Sequence, residues 1–201
     1  MLAAFLSENL KEYLSFLNQA VSSKTTLPIL GNFLIKIEKG TLGFSATDLE
    51  IGVSVSITAQ TEGEGETTVL AKSFSELIAG LEDGKVTIEI KNNQLLVTSN
   101  KTRSAFQTTD ATDFPRLYED KGQEALTLEK KVIEKDLRSI VFSASSDLTR
   151  PVFSGVLIKE EQDGFLIVAT DAHRLSLRRG VTLKPKKGVL GKDTIISARV
   201  I

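Results

Sequence analysis

One stretch of about 35 residues occurs twice in this sequence, and the repeat constrains the fold more than any other feature. Residues 14–48 align with residues 137–171 without a gap, 123 positions apart, with about a dozen identities. Both copies end on the tripeptide Ala-Thr-Asp, at 46–48 and at 169–171. A register kept over this length predicts two copies of one structural unit in tandem.

A repeat of about 123 residues has the size of an ordinary domain. The 201 residues therefore hold one complete copy and part of a second. The segment 110–122, which carries Pro115 and several charges, is the predicted linker. It divides the chain into a first domain at residues 1–120 and an incomplete second domain at 124–201. A third copy would begin around position 247 at the same offset, so a third domain is expected to be absent from this chain.

Composition excludes several classes of function. The chain has no cysteine and a single histidine, which excludes disulfides, thiol catalysis and a multi-histidine metal site, and no cofactor is predicted. No apolar run is long enough to span a membrane, and the first residues lack a basic leader, which together favour the cytoplasm. The net charge of −1 differs from the basic excess typical of proteins that bind nucleic acid by charge alone.

Hydrophobic periodicity predicts an α+β unit in each copy, with helices packed on one face of an antiparallel sheet. Apolar residues at helical spacing predict helices over 7–21 and 131–144. Ser73 and Glu76 form a capping-box pattern, which predicts a short helix beginning there. Alternating apolar and polar residues predict strands at 2–6, 29–38, 41–47, 51–59, 67–71, 86–90, 94–98, 102–108, 126–128, 152–160, 164–170, 175–179 and 193–197.

The second Ala-Thr-Asp continues into a histidine, which raises the question of catalysis. Asp171, His173 and Ser176 are close enough in sequence to form a hydrolase-like arrangement. The first copy repeats the tripeptide without a histidine, so Asp48 and Asp171 are instead predicted to accept backbone hydrogen bonds in a turn. A metal site is not predicted, because Asp-x-His supplies only two ligands.

Residues found in only one copy are the better candidates for function. His173, Arg174 and Leu175 follow the tripeptide in the second copy alone. An apolar side chain with hydrogen-bond donors at its rim is typical of a surface that docks a partner chain. Lys24 and Arg150 precede the paired strands of the two copies. They are candidates for phosphate contacts, although each taken singly is better explained as an ordinary solvated surface charge.

Three motifs resemble the bacterial sliding clamp family, the DNA polymerase III beta subunits. They are Thr-Leu-Pro-Ile-Leu-Gly-Asn at 26–32, Ala-Thr-Asp-Leu-Glu at 46–50, and Val-Ala-Thr-Asp-Ala-His-Arg-Leu at 168–175. The resemblance extends over essentially the whole chain. It implies a DNA-clamp fold with three repeated domains per chain, and two chains that close a ring around duplex DNA. A chain without the third domain is expected not to retain circular DNA.

The resemblance implies a non-catalytic processivity factor with several partners. These are duplex DNA, the DNA polymerase III catalytic subunit, the clamp loader and other proteins that carry a clamp-binding motif, with a homodimeric ring in the full-length family. A ring holds DNA by topology and needs only loose phosphate contacts, which is compatible with the small net charge. The alternatives are the hydrolase that uses Asp171, His173 and Ser176, and a regulatory half-clamp that pairs with intact subunits.

The resemblance also implies roles for individual residues. DNA contacts are expected at Lys24, Lys72 and Arg150, whereas Pro151 and Val152 replace tyrosines that other clamps place against DNA. The dimer edge is expected at Lys101, Arg103 and Phe106. One half of a partner-peptide pocket is expected at Thr170, Ala172, His173, Arg174 and Leu175.

Overall fold

The computed structural model describes residues 1–22, 27–117, 126–127, 130–147, 149–162, 164–182, 184–185 and 193–201. The chain divides into two compact units, Met1–Tyr118 and Glu119–Ile201. Each unit combines helices with antiparallel strands, so the predicted α+β class is confirmed. None of the helices in these described ranges is long and apolar enough to cross a membrane.

The first unit contains a sheet of nine strands. The strands are β1 (Leu2–Leu6), β2 (Asn32–Glu38), β3 (Thr41–Thr47), β4 (Gly52–Thr58), β5 (Gln60–Glu62), β6 (Gly65–Leu70), β7 (Lys85–Lys91), β8 (Gln94–Thr98) and β9 (Arg103–Thr109). In space they follow the order β4-β3-β2-β6-β9-β8-β7-β1-β5. Only two residue pairs join β6 to β9, Thr68 with Thr109 and Val69 with Thr108, so the sheet consists of two weakly connected halves.

Two helices, α1 (Ser7–Gln19) and α2 (Ala71–Gly80), cover this sheet. Short 3₁₀ turns occupy Pro28–Gly31 and Ala111–Asp113. The fully buried Phe74 of α2 contacts aromatic rings from both halves of the sheet. Its ring centroid lies 6.3 Å from that of Phe33, 5.7 Å from that of Phe44 and 6.0 Å from that of Phe106.

The predicted capping box at Ser73 and Glu76 is wrong. Helix α2 begins at Ala71, two residues earlier, and follows Leu70 without a side-chain cap. The apolar side chains of Ala71 and Phe74 are both buried, so core packing rather than a capping hydrogen bond determines where the helix starts.

The second unit contains the strands β10 (Leu126–Thr127), β11 (Gly155–Glu161), β12 (Gly164–Thr170), β13 (Leu175–Val181), β14 (Lys184–Pro185) and β15 (Thr194–Ser197). Four of them form a sheet with the order β13-β12-β11-β15. A separate pair joins β10 to β14. A short 3₁₀ turn at Ala198–Val200 follows β15.

The helical segment of the second unit differs from the regular α-helix predicted over 131–144. Val132–Leu137 forms a π-helical stretch, and α3 (Arg138–Val141) follows it. Val132 and Leu137 are five residues apart and both buried. A π-helix bonds residues five apart, so its wider turn carries both side chains to the core.

Three consecutive strands of the first unit recur in the second. Strands β2, β3 and β4 recur as β11, β12 and β13, each displaced by 123 residues along the chain. The pairing next to the turn recurs as well, because Thr47 pairs with Gly52 in the first unit and Thr170 with Leu175 in the second. The repeat seen in the sequence is therefore a repeat of these three strands and of their register, up to a bulge between Phe165 and Ile167.

Candidate functional site

The motif Ala-Thr-Asp-Ala-His-Arg forms a tight turn between β12 and β13. The Thr170 hydroxyl donates to the carbonyl of Arg174 at 2.7 Å and accepts from the amide of Ala172 at 3.2 Å. Asp171 Oδ1 accepts from the amides of His173 at 3.0 Å and Arg174 at 2.9 Å. Ala172 adopts a φ of 75°, a left-handed conformation that favours glycine. Thr170 and Asp171 therefore fix the backbone of the residues that follow them.

The first copy builds the same turn with the same hydrogen bonds. The Thr47 hydroxyl donates to the carbonyl of Ile51 at 2.8 Å and accepts from the amide of Leu49 at 3.0 Å. Asp48 Oδ1 accepts from the amides of Glu50 at 3.0 Å and Ile51 at 2.9 Å. Leu49, like Ala172, has a φ of 75°. These bonds confirm the prediction that both aspartates serve a turn.

The second copy adds side chains that the first turn lacks. Arg174 Nε lies 2.9 Å from Asp171 Oδ2, and its guanidinium carbon lies 5.7 Å from the centre of the Phe142 ring. The ion pair and the cation–π contact hold the arginine from two sides. Leu175 is 59% exposed beside it. We call Thr170, Ala172, His173, Arg174 and Leu175 the docking turn.

The hydrogen bonds of the turn lower the pKa of Asp171 below its ordinary value of 3.8. The backbone amide of Arg174 is the main cause, followed by that of His173. Because the pKa of Asp171 is lowered in the folded turn, its ionised carboxylate stabilises that turn at any pH above the ordinary pKa. This contribution disappears as the pH falls through the lowered pKa.

We expect an NMR titration of the Asp171 carboxyl carbon to give a midpoint below 3.8. In an Arg174→Ala variant the midpoint should stay below the ordinary value, because the two backbone amides remain in place. A midpoint that returns to the ordinary value in this variant would assign the shift to the guanidinium instead.

A polar cleft of about 460 Å³ adjoins the docking turn. On its other side lie Ser145, Ser146, Asp147 and Arg150, from the loop between α3 and β11. Hydrogen bonds from Thr149 lower the pKa of Asp147, so this loop contributes a carboxylate as well as the Arg150 guanidinium. The cleft therefore presents charges of both signs beside His173 and Arg174.

The hydrolase arrangement is not formed. Both carboxylate oxygens of Asp171 bond to groups of the turn itself. Ser176 Oγ lies 2.6 Å from Ser143 Oγ, in a pair that joins β13 to the end of the helical segment. Asp171 and Ser176 thus have other partners than a catalytic histidine. The part of the chain that the structure describes also contains no cluster of three potential metal ligands.

The expected DNA-contacting residues lie in different parts of the chain. Lys24 falls outside the described residues. Lys72 is exposed in the first turn of α2, in the first unit. Arg150, Pro151 and Val152 are all exposed in the loop before β11, in the second unit. The charges of Lys72 and Arg150 therefore face solvent, Lys72 in the first unit and Arg150 in the second.

The expected dimer edge lies on and next to β9. This strand pairs with β8 over Arg103 to Gln107, whereas it pairs with β6 only at Thr108 and Thr109. Arg103 and Phe106 therefore lie in a stretch with one side not paired to another described strand. Phe106 is partly buried against Phe74, and Lys101, in the turn before β9, forms an exposed ion pair with Glu82.

Sequence reasoning missed two apolar residues beside the docking turn, Phe142 and Leu177. Phe142 is 59% exposed and lies off the predicted apolar face of the helix, where it holds Arg174. Leu177 is 52% exposed and continues the surface of Leu175 along β13. The repeat itself contained the signal, because the residue matching Leu177 in the first copy is Ser54, which bonds to Ser45 at 2.7 Å.

Two tandem α+β units that repeat three strands and one turn define a class of duplicated scaffold proteins, and only the second turn carries an arginine and an exposed leucine. The model of the DNA polymerase III beta subunit N-terminal domain matches residues 5–118. The model of the central domain of the same subunit matches residues 127–198. The chain therefore belongs to the DNA polymerase III beta subunit family, the sliding clamps, a non-catalytic class. Both the resemblance and the prediction that the chain is not an enzyme are confirmed.

Individual relatives agree with this assignment. The beta sliding clamp of Synechocystis is 35% identical over 178 residues, which cover 84% of this chain and 46% of that protein. The beta sliding clamp of Salmonella typhimurium is 31% identical over 194 residues, covering 91% of this chain and 53% of that protein. The chain thus spans about half the length of these relatives.

Solved structures share the fold. The sliding clamp of Bacillus subtilis matches 99% of this chain and 54% of its own, with a TM-score of 0.84 and 27% identity. The beta clamp of Helicobacter pylori bound to a DNA ligase peptide matches with a TM-score of 0.79 at 21% identity, which supports the fold alone. That match covers 99% of this chain and 56% of the Helicobacter one.

Proposed function

We propose that this chain forms two domains, at residues 1–120 and 124–201, of a cytoplasmic processivity factor. Such a factor encircles duplex DNA as a ring and tethers the replicative polymerase. Membership in the sliding clamp family supports the proposal. The observation that carries it is the docking turn, which adds a held arginine and an exposed leucine to a turn that both units build with the same hydrogen bonds.

The docking turn binds short peptide segments of the DNA polymerase III catalytic subunit, the clamp loader and other clamp-binding proteins. Leu175 provides an apolar contact, and Arg174 and His173 provide donors at its rim, the combination that concentrates binding energy in small interfaces. Thr170 and Ala172 set the backbone beneath them.

We expect Leu175→Ser in the full-length subunit to weaken binding of a peptide from the polymerase catalytic subunit on the order of tenfold. The change removes apolar contact area and leaves the hydrogen bonds of the turn intact. Fluorescence polarisation with a labelled peptide measures the dissociation constant. Leu49→Ser is the control, because Leu49 is an exposed leucine of the matching turn in the first unit. Equal effects of the two changes would contradict the assignment.

Contacts with DNA are loose and do not depend on sequence. Lys24, Lys72 and Arg150 contact phosphates, which leaves the ring free to slide, because topology rather than affinity retains the duplex. The exposure of Lys72 and Arg150 supports these roles. The side of β9 that has no described partner at Arg103 and Phe106, with Lys101 beside it, forms the edge through which two chains close a ring.

A further inference from the structure

The first unit contains a counterpart of the docking turn, and its surface is in contact with the chain's own linker. The residue of the first unit that matches Leu175 is Gly52, the first residue of β4. A Cβ atom placed on Gly52 would lie 2.7 Å from Cδ2 of Leu117 and 3.5 Å from its Cδ1. The space that a leucine side chain fills in the second unit is therefore occupied by a leucine from the linker in the first.

The start of the linker is fixed by contacts that bring Leu117 to this position. Asp110 Oδ1 accepts from the amide of Thr112 at 2.8 Å and caps the 3₁₀ turn that follows β9. Phe114 donates its amide to the carbonyl of Ala111 at 3.0 Å, and its side chain is only 5% exposed. Three residues after this buried anchor, the partly buried Leu117 contacts Gly52.

Gly52 is required for space rather than for backbone conformation. It lies in a regular strand, paired with Thr47, and its φ is outside the left-handed region. An alanine there would meet only the flexible end of the Leu117 side chain, which can rotate away. A leucine, as found at position 175, has three more carbon atoms and would displace Leu117.

We propose that Phe114 to Leu117 is an internal ligand of the first unit's copy of the docking turn, and that Gly52 is the residue that admits it. Gly52, at the position of Leu175, leaves the room that the Leu117 side chain takes. The comparison with the docking turn rests on the proposed function, whereas the contact between Leu117 and Gly52 does not.

Trypsin cleavage after the exposed Arg116 tests the contact in the full chain, because proteolysis requires the linker to leave the surface. Gly52→Leu should raise the cleavage rate between Arg116 and Leu117 by about five- to tenfold, the effect of releasing a partly buried leucine. Gly52→Ala should have a smaller effect. Mass spectrometry of the fragment that begins at Leu117 gives the rate.

Ser54→Leu is the matched control. It introduces the other leucine of the second copy on the same strand, two residues away from Gly52, and leaves the linker contact in place. Its cleavage rate should stay within about twofold of wild type, the change expected when the opening equilibrium is not altered. Cleavage of Gly52→Leu at the wild-type rate would overturn the proposal.

A second variant covers the case in which Gly52→Leu loses its cooperative thermal transition. Leu117→Ala removes the side chain that contacts Gly52. Its cleavage rate is divided by the rate for the same variant unfolded in urea, which corrects for the sequence preference of trypsin. A corrected rate above wild type supports the proposal, and a corrected rate equal to wild type overturns it. Neither result depends on peptide binding, so failure of the proposed function is seen separately in the Leu175→Ser experiment.

Discussion

Phe74→Ala should lower the free energy of unfolding of the first unit by about 3–5 kcal/mol, the cost of removing a fully buried aromatic side chain. The reason is specific to this sheet. Two residue pairs alone join its halves at β6 and β9. Phe74 contacts Phe33 and Phe44 from one half and Phe106 from the other, so a cavity at this position also weakens the connection between them.

Urea denaturation followed by circular dichroism measures this loss from the transition of the first unit. Phe16→Ala is the control, since it removes the same group from a site on α1, in the same unit, that is 56% exposed. It should cost less than about 1 kcal/mol, because little apolar area returns to water. Equal losses for the two variants would show that Phe74 does not connect the halves of the sheet.

Asp171→Ala should weaken peptide binding by the full-length subunit on the order of tenfold or more. The reason is that His173 and Arg174 lose the geometry in which the Asp171 carboxylate holds them before the peptide binds. The change removes the acceptor for the amides of His173 and Arg174 and the ion-pair partner of the Arg174 side chain. Backbone bonds within the turn remain, so the fold of the second unit should persist.

Asp48→Ala is the matched control for this prediction. It deletes the same two amide contacts, to Glu50 and Ile51, from the turn of the first unit. Peptide affinity should not change, because that turn carries no docking side chains. A similar loss of affinity in both variants, measured by fluorescence polarisation, would show that the effect comes from general destabilisation rather than from the docking turn.

The repeat made much of the fold predictable from the sequence. Strands β3, β8 and β12 have the predicted bounds, because short alternating segments between glycine or asparagine turns leave little choice of register. The helical segment of the second unit was less predictable. Periodicity placed Val132, Leu137 and Ile140 on the inward face, and all three are buried. The π-helical form of Val132–Leu137 was not predicted, because it depends on how the segment packs against the sheet.

The candidate site was predictable only in part. Asp171 and Thr170 bond to atoms at most four positions away, so their roles follow from local sequence. Which face of β13 packs against the helical segment does not follow from local sequence. Ser176 contacts Ser143 and Arg178 pairs with Asp136, both in the helical segment or next to it. The leucines consequently face away from the helix.

The sequence by itself determined the duplicated topology and the repeated turn, because both depend on short-range hydrogen bonds and on a register that two copies share. Tertiary structure alone decided which distant side chains meet at these turns. Leu117 is 65 positions from Gly52, and Phe142 is 32 from Arg174. Contacts at such separations depend on how strands and linker pack. They bring Leu117 against Gly52 in the first unit and hold Arg174 in the second.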